Sequence, residues 1–153
     1  MTMNKLFNSP FENSLRVLIL LDEFGIQQSL DMIYAIDFIV SYGATFGVSE
    51  NDLNGNNQYK FSEFASRREI VRTALKQLVL DGLVLPVNDQ NGIMYRITDA
   101  GEAYSQSLDS DYAKEYRYTA QKTVELVSDK TERTIIERIN RMSAESLRKG
   151  TGA

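Results

Sequence analysis

SEFASRREIVRTALKQLVLDGLVLPVNDQNGIMYRITDAG, residues 62–101, changes its hydrophobic period twice, and those changes decide the fold. Ile70, Val71, Ala74, Leu75, Leu78 and Val79 recur at helical spacing, so the first part predicts an amphipathic helix. Ser66 and Glu69 have the S-x-x-E spacing of a capping box, which predicts that the helix begins beside them. Gly82 stands where a left-handed residue would end it. Leu83 to Val87 is a short apolar run, Asn88 to Gly92 is turn chemistry, and Ile93 to Ile97 alternates, which predicts a hairpin. Thr98 and Asp99 then supply the cap of another helix. Helix, hairpin, helix is the order of a winged helix. The expected fold is therefore mainly α with a small β-hairpin.

Upstream, Ser9-Pro10-Phe11-Glu12 is the best helix start in the chain. Ser9 can cap, Pro10 occupies a first-turn position where its missing N–H costs nothing, and Glu12 closes a capping box. From Leu15 to Leu21 only Arg16 is polar, so this helix should be apolar nearly all round and central. Phe24-Gly25 should end it. A second helix is expected from about Leu30 to Tyr42, with Ile33, Tyr34, Phe38 and Ile39 facing inward. Asp37 falls among them and is expected at a partly solvated edge, because carboxylates are seldom fully buried.

Residues 49–60 are polar and Asn-rich, the composition of an exposed loop. Asp52, Asn54, Asn56 and Glu63 imitate a calcium loop, but Asn57 replaces its required glycine and Lys60 takes a ligand position. No metal is expected there. Downstream, Tyr112, Tyr116, Ala120, Val124 and Val127 mark a helix over 111–127. Ser128-Asp129 is expected to cap a last helix running to about Leu147, with Ile135, Ile136, Ile139 and Met142 as its apolar face. The division expected is a winged-helix domain with N-terminal helices over 1–108 and a helical extension over 109–149.

Composition narrows function. The chain has 153 residues, no cysteine and no histidine, and a net charge of −4. Triads that need His or Cys are impossible, thiolate metal sites are excluded, and no phosphate-binding loop or nucleophile elbow occurs. No enzyme activity and no cofactor are expected. No stretch has the length of a membrane span and residues 1–8 lack a signal pattern, so a cytoplasmic location is expected.

DNA binding is the activity the fold invites, through Arg67, Arg68, Arg72 and Lys76. Yet at about 100° per residue the centre of the exposed face falls on Glu69, Thr73, Lys76 and Leu80. The hairpin tip, Asn88 to Gly92, has an Asp and no cation, whereas a wing laid along phosphate should be basic. The arginines are expected instead to bury their stems and pair with Glu63 or Glu69. Charge is also uneven. Residues 1–110 hold 8 Lys and Arg against 14 Asp and Glu, and 111–153 hold 9 against 7. Protein contact fits better: Phe7, Tyr59, Phe61, Tyr104 and Tyr118 stand at helix starts or on polar stretches, and aromatics with Arg favour interface centres.

The chain resembles the middle component 2 proteins of bacterial ABC-three-component systems, the small middle subunit of Lamassu-type antiphage defence. The resemblance lies in Phe7-Asn8-Ser9-Pro10-Phe11-Glu12, then Arg67-Arg68-Glu69-Ile70-Val71, Leu78, Gly82-Leu83-Val84, Tyr95-Arg96-Ile97-Thr98, and Leu108-Asp109-Ser110 with Tyr112. Where the family has a Pro- and His-containing loop before the double arginine, this chain has its Asn-rich stretch. The resemblance implies a non-catalytic adaptor between an SMC-like ABC ATPase and an effector, often a nuclease, with DNA met through the assembled complex. Phe7, Pro10 and Phe11, with Arg67, Arg68, Arg72 and Lys76, are the expected partner contacts. The alternative is a winged-helix transcriptional regulator that binds DNA as a dimer through the 67–82 helix.

Overall fold

The computed structural model describes residues 9–50, 53 and 60–148. Six α-helices and three short strands occur among them. Helix α1 (Pro10–Phe24) starts as its sequence demands: the Glu12 amide donates to Ser9 Oγ at 3.2 Å, and the Ser9 hydroxyl donates to Glu12 Oε1 at 2.5 Å. It ends at Gly25, whose φ of 72° is the left-handed conformation. Val17 to Leu21 are all buried, so the helix is central as its apolar run requires. Helix α2 (Leu30–Ser41), capped by Ser29, lies beside it and is buried from Ile33 to Ser41.

Helix α3 (Phe64–Leu80) packs across both α1 and α2. Its start departs from expectation. Ser66 and Glu69 form no capping box: the Ser66 hydroxyl donates to the Glu63 carbonyl, and Glu69 pairs with Arg72. A 3₁₀ turn over Lys60–Glu63 precedes the helix, and Phe64 is buried 5.1 Å from the Tyr34 ring and 4.9 Å from Phe38. That aromatic packing draws the helix start two residues upstream of the polar signal. The end is as read. Gly82 (φ 76°) donates to Val79 O and Leu83 to Leu78 O, the paired bonds of a Schellman motif.

Strands β2 (Val84–Asp89) and β3 (Gly92–Ile97) form the hairpin, with Asp89 opposite Gly92, so its turn is only Gln90-Asn91. A two-residue strand β1 (Gln28–Ser29) adds to β3, giving an antiparallel sheet of order β1-β3-β2. Helix α4 (Asp99–Ser107) is capped by Thr98, whose hydroxyl also donates to Gly82 O at 2.9 Å and ties the two helices together. Gly101 must lack a side chain there, because a Cβ would strike the Leu83 carbonyl.

Helices α5 (Asp111–Leu126) and α6 (Glu132–Arg148) add Tyr116, Ala120, Ile135 and Ile139 to the same core. The last helix is not capped by Ser128-Asp129. Thr131 caps it, accepting from the Thr134 amide at 3.1 Å, while the Ser128 hydroxyl turns back to Glu125 O. The calcium-loop imitation at Asp52, Asn54 and Asn56 lies outside the described residues, as do Phe7 and Tyr59.

Candidate protein-interaction surfaces

Arg67 is not on the surface. It is buried, and its Nη1 donates to Asp37 Oδ2 at 2.7 Å and to Ser41 Oγ at 3.3 Å. From α1, Arg16 Nε reaches Asp37 Oδ1 at 3.2 Å, and from α5 the Tyr116 hydroxyl donates to the same oxygen at 2.7 Å. Asp37 is wholly buried, which overturns its expected place at a solvated edge. Four helices thus converge on one carboxylate. Burial alone would raise its pKa, but the Arg16 and Arg67 guanidiniums and the Tyr116 hydroxyl overcome that and hold it well below the usual carboxylate range. Burial pushes Tyr112 up to about 12 and raises Tyr116 well above the usual tyrosine value, with the Asp37 charge adding to both effects.

The signal for this cluster was in the sequence. Arg16 is the sole polar residue between Leu15 and Leu21, and Asp37 the sole charge between Ile33 and Val40. Two lone opposite charges inside two apolar helices can be buried only if they meet. A residue-by-residue reading of either helix misses that.

The other cations of α3 are engaged or solvated. Arg68 pairs with Asp31 at 2.8 Å and Arg72 with Glu69 at 3.1 Å, the latter as expected. Lys76 is exposed. A second cluster lies at the other end of α1, where Arg117 reaches Asp22 at 3.0 Å, Glu23 at 2.6 Å and the Ser105 hydroxyl at 2.6 Å. Both clusters bind helix to helix. Among the described residues no group of acids is arranged to hold a metal.

The α1 start is different in kind. Pro10 is exposed, and Phe11 keeps 63% of its surface in solvent. Phe11 stands between two grooves. One, of about 550 Å³, runs between the first turns of α1 and the outer side of α3, lined by Pro10, Leu15, Ile70, Leu83 and Tyr104. The other, of about 350 Å³, lies between α1 and the start of α5, with Leu108 and Tyr112 on its wall. An exposed aromatic flanked by apolar grooves is a surface that gains from being covered. Of the other aromatics singled out, Tyr104 edges the first groove, Tyr118 is exposed beneath Lys122, and Phe61 packs on Phe38 and Phe46.

Residues 6–149 match the family model of the ABC-three component system Middle Component 2. The chain belongs to that family. Middle Component 2 proteins are one part of a three-part system, which implies a role in a defence system and association with its other components. No curated protein and no solved structure matches the chain. Among the described residues of this Middle Component 2 protein, no helix is long and apolar enough to cross a membrane.

Proposed function

We propose that this chain is a non-catalytic adaptor of a bacterial antiphage complex, holding an SMC-like ABC ATPase and an effector, a nuclease, in one assembly. The observation that carries the reading is the family match over residues 6–149. The surface supports it. Phe11 and Pro10 stand free between two apolar grooves, while Arg67 is consumed inside the core and Arg68 and Arg72 pair with acids of the same chain. Phe7 and Lys76 complete the proposed contact set. The order of α3, the β2–β3 hairpin and α4 supports a winged-helix module over 1–108, with 109–149 as its helical extension. We place the assembly in the cytoplasm.

The competing regulator reading has one observation in its favour, the exposed Lys76 and Arg96 on the helix and hairpin that a DNA-reading winged helix would present. Co-expression with the other two components, followed by affinity purification, separates the two. The adaptor co-elutes with the ATPase and, alone, leaves duplex DNA unbound at both about 50 and about 200 mM salt. A protein that elutes alone and binds duplex DNA with a steep salt dependence is the regulator instead.

A further inference from the structure

A third groove, of about 520 Å³, lies at the far end of α5 from the Phe11 surface. The two ends of that 16-residue helix are separated by about 24 Å. Its floor is apolar: Ile39 from α2, Phe46 from the following turn, and Leu126, Val127 and Ile135. Leu126 keeps 54% of its surface in solvent. Its rim is basic. Lys130, Arg138 and Arg141 line it, and among the described residues no Asp or Glu does. Lys130 meets Asp129 at 3.2 Å, whereas no ion pair holds Arg138 or Arg141 among the described residues. Thr134, Arg138 and Arg141 succeed one another at four and three residues along α6, so both arginines share one face of that helix, and Lys130 stands in the turn before it.

We infer that this groove docks an acidic amphipathic helix of another component of the system, its apolar face on Leu126 and Phe46 and its carboxylates against Arg138 and Arg141. The inference rests on the adaptor reading and names the chemistry of one of its partners. Charge complementarity selects the partner: cations with no acid among the described residues of the rim attract a carboxylate-bearing segment, in a chain whose net charge is negative. The floor selects a helix over nucleic acid. Phosphate would satisfy the arginines but leave Leu126 and Phe46 against a polar backbone, whereas an apolar side chain removes them from water. A helix lying along α6 would present two Asp or Glu side chains one turn apart, facing Arg138 and Arg141.

The test uses the full chain and designed peptides of about 16 residues, long enough to hold a helix, with one leucine face flanked by either Glu or Lys. Fluorescence anisotropy is read for each peptide and for duplex DNA. The Glu peptide is expected to bind and to weaken about tenfold from low to physiological salt, while the Lys peptide does not bind. R138E/R141E should reverse that preference, and Leu126→Asp should abolish both. These residues are exposed, so unchanged thermal midpoints certify folding. In the co-expressed assembly R138E/R141E should release one component that Phe11→Asp retains. Duplex DNA displacing the Glu peptide, or self-association of the chain lost in R138E/R141E, overturns the inference. Wild type and R138E/R141E retaining every component, with no peptide bound, overturns the groove and leaves the adaptor standing. Wild type that co-elutes with nothing overturns the adaptor and this inference with it.

Discussion

Arg67 and Arg68 are consecutive residues of one helix, and they belong to different worlds. Arg67 is buried, bonded at 2.7 Å to a carboxylate that has no contact with solvent. Arg68 holds Asp31 at 2.8 Å, a nearly equal distance, but both side chains are more than two-fifths exposed. Distance therefore says little about what either pair does. In the interior, two guanidiniums and one carboxylate have lost their hydration, so each depends on the others. On the surface, water competes with each bond and replaces it at little cost. The same contrast separates what holds this fold together from what it can offer a partner.

Removing the shared partner should break the interior first. Asp37→Ala leaves Arg16 and Arg67 buried without their carboxylate, a defect that costs about 3–5 kcal/mol. That is a large part of a small domain's stability. Urea denaturation should show the midpoint falling steeply, with protein that is partly unfolded or aggregated at growth temperature. An Asp37→Ala protein of near-normal midpoint would mean that water reaches the cluster.

Acid should dissect the same interaction without altering volume. Because the Asp37 pKa is depressed in the fold, its contribution is fully present above the unfolded value of about 3.9 and is lost as pH falls below it. Asp37→Asn cannot titrate. The stability gap between wild type and Asp37→Asn should therefore be constant above about pH 5 and narrow below about pH 4. Denaturation curves at closely spaced pH values measure it. A gap that stays constant to pH 2 would assign the acid limb to other carboxylates.

Tyr116→Phe should be milder. It deletes one hydrogen bond to Asp37 and leaves both guanidiniums in place, a loss of about 2 kcal/mol. The hydroxyl also helps to depress the Asp37 pKa, so in this variant the acid limb should begin at the same pH but level off at a higher one, with a smaller total loss.

The distribution of these effects explains what was legible in the chain. Elements defined by local chemistry were readable: Ser9 and Pro10 at the start of α1, Gly25 and Gly82 at helix ends, Thr98 ahead of α4. Where a distant group decides, sequence misled. Strand β1 owes its two residues to pairing with β3 and has no pattern of its own. The start of α3 is set by Phe64 among Tyr34 and Phe38 rather than by Ser66 and Glu69. Arg67 was expected to bury only its stem and to pair with Glu63 or Glu69, because its actual partner is 30 residues away in the chain. Phe11 was named as a contact residue, but its exposure and the grooves beside it were not legible, since residues from α3, α4 and α5 complete them.

The smallest effect is the most informative control. Arg68→Ala deletes an ion pair nearly as short as the one that Arg67 makes, on the same helix and one residue away. Its carboxylate partner is left in water, already hydrated, so nothing buried loses its charge balance. The urea midpoint should stay within measurement error of wild type, at low and at high salt alike. If Arg68→Ala instead falls toward Asp37→Ala, the α2–α3 contact is held by its surface charges and the buried cluster is not what joins these helices. If it is neutral for stability yet weakens co-elution with the other components, Arg68 belongs to the contact surface. Stability and binding then separate between two adjacent side chains.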